Sequence, residues 1–105
     1  MPILRYRGDY QPLDAATLER WKGVPPAVAG DCMNRMNCMA GRVSPLHPDM
    51  RIVGHARTIS VMAGDNLCVH AAIPLMQPGE IIVIDAAGNP DVAIIGEILV
   101  TAAKL

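Results

Sequence analysis

Four places in this 105-residue sequence put reactive side chains at spacings that could do chemistry. The most suggestive is Ala93-Ile94-Ile95-Gly96-Glu97-Ile98-Leu99. If Gly-Glu opens a helix, its free backbone N–H groups and the helix dipole make a receptor for a carboxylate or phosphate. Gly96 would let a ligand come close to the backbone. Glu97 beside an anion is awkward unless a metal or a proton compensates, which points to chemistry. Its plain alternative is capping of the first turn. Asp85 ends the run Ile81-Ile82-Val83-Ile84, at the carboxyl end of a strand, where α/β proteins place ligands. Asp65, Asn66 and His70 form either a polar cluster at a helix start or an Asp65 N-cap with a surface or core-edge histidine; the second account is preferred. Cys32-x5-Cys38 with His47 and His55 invites a zinc reading, but the spacing matches no CxxC knuckle. These cysteines read as buried or partly buried free thiols.

Several classes fall away. No GxGxxG or Walker loop is present, which weakens nucleotide and S-adenosylmethionine binding alike. Nine Lys and Arg against ten Asp and Glu leave a net charge of −1, which gives nucleic acid and anionic membranes no electrostatic purchase. Aromatics are 3% with no Phe, so no base-stacking platform is expected. The apolar run at Ile81–Ile84 is strand-length, far short of the ~20 residues a bilayer needs. The start, Met1-Pro2-Ile3-Leu4-Arg5, lacks the pattern of a secretory signal, and three cysteines fit reduced thiols in the cytoplasm.

The elements that must position these residues follow from periodicity. Leu13 to Lys22 predicts a short helix capped by Asp14, stopped at Gly23, and packed through Trp21. After Pro25-Pro26, Val28, Cys32, Met36 and Met39 predict one apolar stripe on a helix over 27–39. Arg51 to Met62 alternates as a strand, with Val53, His55, Arg57, Ile59 and Val61 on one face. Asp65 is expected to cap a helix reaching Ile73, Pro78-Gly79 to form a type II turn, and Glu80 to Asp85 to form a strand buried on both faces. Ile98 to Leu105 reads as a helix still running at the last residue, so the chain reads as part of a domain.

Taken together, Gly30-Asp31, Gly54-His55-Ala56-Arg57-Thr58, Gly64-Asp65-Asn66, Pro78-Gly79-Glu80 with Ile81 to Asp85, Gly88, and Ala93 to Leu99 resemble the RraA-like family over residues 27–105. That family includes 4-hydroxy-4-methyl-2-oxoglutarate aldolases, oxaloacetate decarboxylases and the regulator of ribonuclease activity A; many members carry the label dimethylmenaquinone methyltransferase. The resemblance implies an α/β protein with a swivelling β/β/α layered domain, here incomplete at its C-terminus, after an N-terminal extension with a short helix over 1–26. It also implies a cytoplasmic homo-oligomer, a trimer or hexamer, with sites between subunits. By the same resemblance Gly96, Glu97, Ile98 and Leu99 bind the carboxylate of a pyruvate-like 2-oxo acid, and Glu97 takes part in proton transfer. Asp85, Asp65, Asn66 and His70 are secondary candidates. The implied cofactor is a divalent metal, Mg²⁺, whose family ligand, an Asp following a substrate-gripping Arg, falls beyond Leu105. Weak or no lyase activity is therefore expected of these 105 residues alone. The Gly-acid pair tilts the reading toward lyase chemistry and away from a protein-binding regulator on the same fold.

Overall fold

The computed structural model describes residues 3–5 and 8–104 and divides into two units, Pro12–Gly54 and Met1–Gln11 with His55–Leu105. The signal-sequence expectation at Met1 and Pro2 lies outside the described residues.

In the unit Pro12–Gly54, helix α1 spans Ala15–Trp21. Asp14 caps it as expected, its carboxylate accepting from the Thr17 backbone N–H and from Thr17 Oγ1, both at 2.8 Å. These bonds from Thr17 hold the Asp14 pKa below its ordinary value. Trp21 remains 44% exposed and is not the buried anchor the sequence suggests.

Helix α2, Pro26–Cys32, stops seven residues short of the predicted Met39. The reason is local. Asn34 takes a left-handed φ of 55°, its N–H bonds the Asp31 carbonyl, and the Arg35 N–H reaches back to the Gly30 carbonyl at 2.8 Å. This is the paired-bond helix stop in which Asn can replace glycine. Arg35 and Asn37 are left-handed as well, so the apolar stripe never forms: Met36 and Met39 are exposed, as are the free thiols of Cys32 and Cys38.

In the other unit, strand β1, Ala56–Ser60, runs parallel to β2, Ile81–Asp85, pairing Ala56 with Ile81 and Ser60 with Asp85. The predicted strand over 51–62 shrinks to five residues because its partner offers only five; a ladder cannot outrun its neighbour. The alternation holds within it, since Ile59 and Val61 turn inward and are buried. β2 is half-buried rather than central, having one neighbouring strand among the described residues.

Between the strands lies α3, Leu67–Ala72, followed by a single 3₁₀ turn, Ile73–Leu75. Gly79 has φ +84° and the Glu80 N–H bonds the Gln77 carbonyl, the expected type II turn into β2. Helix α4, Glu97–Lys104, closes the order; Leu105, which the sequence pattern places in this helix, lies outside the described residues. Val69, Ile59, Val61 and Leu99 form the core, with Ile82, Ile84 and Ile94 packed against it. The result is a small mixed α/β arrangement around a two-stranded parallel sheet.

Candidate functional site

At the start of α4 the first helical bond runs from the Val100 N–H to the Gly96 carbonyl at 3.1 Å. The amides of Glu97, Ile98 and Leu99 therefore precede the intrahelical ladder. Gly96 is exposed, and a Cβ placed on it would meet nothing within 4 Å, so the space beside Gly96 itself is open. Leu99 is 4% exposed and anchors the turn in the core, whereas Ile98 is 86% exposed. Glu97 is exposed in the first turn, and its carbonyl accepts from Thr101 Oγ1 at 2.9 Å.

The secondary candidates separate. Asn66, not Asp65, is the N-cap residue of α3: its carbonyl accepts from the Val69 and His70 N–H groups at 3.0 and 3.1 Å. Asp65 serves the same helix start with its side chain, accepting the Leu67 N–H at 2.8 Å. The Asn66 side chain instead donates to the Ile94 carbonyl at 3.3 Å, two residues before Gly96. His70 is exposed on α3, and its backbone N–H bonds the Asn66 carbonyl at 3.1 Å. The structure thus links Asn66 to the approach into α4.

Asp85 stands elsewhere, at the paired carboxyl ends of the strands beside Ser60. Its Oδ1 accepts the Ala87 N–H at 3.0 Å and stabilises a turn in which Ala87 and Gly88 have φ 57° and 68°. Asp85, Ser60 and Arg57 line a cleft of about 750 Å³ together with Val83 and the small α3 residues Ala71 and Ala72. None of Gly96, Glu97, Ile98 and Leu99 lines that cleft.

The most elaborate polar cluster was missed by sequence reasoning. Arg57 in β1 forks onto Glu80, with Nε to Oε2 at 3.0 Å and Nη2 to Oε1 at 2.5 Å. Tyr10 donates its hydroxyl to Oε1 at 2.7 Å and the Gln77 N–H donates to Oε2 at 2.9 Å. Arg57 also donates through Nη1 to the Gly8 carbonyl at 3.0 Å, and its guanidinium lies 5.7 Å from the Tyr10 ring centroid. The Glu80 side chain is only 2% exposed. The Arg57 hydrogen bonds hold its pKa down at about 2, with the Gln77 N–H and Tyr10 hydroxyl acting in the same direction against desolvation. The bond to Glu80 pushes the Tyr10 hydroxyl above its ordinary value. The available signal was a cation at an inward position of β1 and a carboxylate opening its partner strand. Both oxygens of Glu80 are engaged, so this cluster holds the sheet's amino end.

Among the described residues no three His, Cys, Asp or Glu come together, and neither Cys32 with Cys38 nor Asp85 alone makes a divalent site. No described helix is long and apolar enough to cross a membrane.

The model of the RraA-like family, Aldolase/RraA, matches residues 16–105. This chain belongs to the RraA-like family. A curated relative from Halalkalibacterium halodurans, named "Putative 4-hydroxy-4-methyl-2-oxoglutarate aldolase", is 33% identical over 87 residues. The match covers 83% of this chain and 41% of the relative, so the RraA-like chain spans about two fifths of that protein's length. No solved structure matches the chain.

Proposed function

We propose that this RraA-like chain supplies the carboxylate-binding part of a lyase that cleaves 4-hydroxy-2-oxo acids to pyruvate or decarboxylates oxaloacetate. The observation that supports it is the open space beside Gly96 at the unladdered amides of Glu97, Ile98 and Leu99. In this reading those N–H groups donate to the substrate carboxylate, and the absent side chain at Gly96 lets it approach. Leu99, held in the core, keeps the amides oriented without help from the ligand. The Glu97 carboxylate stands on the same turn and accepts or returns the proton exchanged at the substrate's reacting atoms. A divalent ion would supply stabilisation of the enolate left by C–C cleavage. The described residues bring no three His, Cys, Asp or Glu together to hold such an ion. A swivelling layered fold, trimeric or hexameric assembly and a cytoplasmic setting are parts of the same proposal. Ile98, 86% exposed on the binding turn, suits a site completed by another copy.

The test is a titration of the isotopically labelled chain with pyruvate, read at each backbone amide. Shifts concentrated at Gly96, Glu97, Ile98 and Leu99 are expected. Shifts spread evenly, or none at these four, would overturn the reading.

A further inference from the structure

Two loops deliver α3 and α4 to the same end of their unit, and they run side by side. Gly64, at φ +77°, faces Val92: a Cβ on Gly64 would lie 3.8 Å from a Val92 methyl. Two residues further along each loop, the Asn66 side chain meets the Ile94 carbonyl. Both contacts join residues 28 apart, so the loops are laid parallel and in step. Helix α3 starts directly after Asn66, and α4 starts three residues after Ile94.

The Asn66 side chain is not engaged in capping α3, which leaves its amide for this bond. Asn at an N-cap ordinarily accepts a backbone N–H from the first turn. Here Asp65 accepts the Leu67 N–H, and Asn66 caps only through its backbone carbonyl. Its amide donates to a carbonyl two residues before Gly96. Ile94 itself is partly buried against the core, so the bond fixes a backbone already held on one side.

We infer that Asn66 is a positioning residue: by holding the Ile94 carbonyl it sets where the chain enters α4, and so where the amides of Glu97, Ile98 and Leu99 point. The role rests on the proposed carboxylate seat for its functional meaning, but its structural half can be tested alone. Asp65 and Asn66 then divide two duties, one capping α3 and the other aiming α4.

The experiment compares wild type, Asn66→Ala and the isosteric Asn66→Asp, which lacks the donor, all as the full chain, by amide resonances and hydrogen exchange. Without ligand, both variants are expected to move the Ile95, Gly96 and Glu97 amides and to speed exchange of the Val100 N–H about two- to tenfold, the value of one ordinary hydrogen bond. The Thr58 and Val83 amides of the sheet should stay in place, which a general loosening would not allow. With pyruvate, the apparent affinity should fall by about the same factor. Unmoved residues 95–97 in both variants would overturn the inference, as would unfolding of both, because a positioning role requires the core to survive. If these amides move but wild type binds no pyruvate, the positioning stands and the proposed function fails.

Discussion

Arg57 and Glu80 face each other across the start of two parallel strands and form a two-pronged ion pair whose carboxylate is 2% exposed. Four donors reach Glu80, from Arg57 twice, Tyr10 and Gln77, so both of its oxygens are fully engaged. A two-stranded parallel sheet is a weak structure alone. This pair ties β1, the turn before β2 and the segment around Gly8 into one piece.

Removing the carboxylate should therefore cost more than an ordinary surface pair. Glu80→Ala strands the Arg57 guanidinium and orphans the Gln77 N–H, and is expected to lower stability by about 2–3 kcal/mol. Glu80→Gln keeps the shape and two acceptor sites and should cost less. Urea unfolding followed by far-UV dichroism checks the order. Equal midpoints for all three proteins would contradict it.

The same residue sets an acid limit. Its pKa falls from an ordinary 4.5 to about 2 on folding, chiefly through Arg57. The unfolded chain thus takes up the proton first. The stabilisation is complete above about pH 4.5 and is lost as pH falls through about 2. Stability should decline across that window in wild type and decline less in Glu80→Gln. Urea midpoints measured at intervals from neutral pH downward would show the two curves converging toward the acid end. Parallel curves would remove Glu80 from the explanation.

How much of this could be read from the chain depends on the range of each interaction. Asp14 with Thr17, and Pro78-Gly79 with Glu80, act within a few residues, and both were legible. The end of α2 is local too, yet the apolar spacing from Val28 to Met39 masked it; Asn34 was the overlooked stop signal. β1 was overextended because its length is set by β2, more than twenty residues away. The Arg57–Glu80–Tyr10 cluster joins residues 23 and 70 positions apart, and no periodicity carries such a pairing. In the candidate site the open glycine at 96 and the helix start at Glu97 were legible from local pattern. The tie from Asn66 to Ile94 was not, since it depends on two loops meeting.

Gly79 offers a test of backbone geometry free of packing. Its φ is +84° and a Cβ there would meet nothing within 4 Å. Any loss in Gly79→Ala is then conformational, about 1–2 kcal/mol. Gly79→Asn should lose less, since Asn tolerates the left-handed region. Thermal unfolding of the three proteins checks this. Identical melting temperatures would mean that the turn relaxes to another type and that Glu80 keeps its partners regardless.

Gly96 and Glu97 can be separated by what each does to a reaction. Gly96→Val puts a branched side chain into space now empty, so it should block the approach of a carboxylate while leaving the core contact of Leu99 intact. In an active lyase carrying this turn this predicts a large rise in KM for a 4-hydroxy-2-oxo acid and a smaller change in kcat. Glu97→Gln keeps the size and first-turn position but cannot carry the proton. It should lower kcat about a hundredfold or more with KM little altered. Pyruvate release by both variants, measured beside their melting temperatures, distinguishes the roles. A Glu97→Gln protein with undiminished kcat would leave the amides as a seat for an anion and assign the proton step to another residue. A Gly96→Val protein with unchanged KM would move the seat itself away from α4.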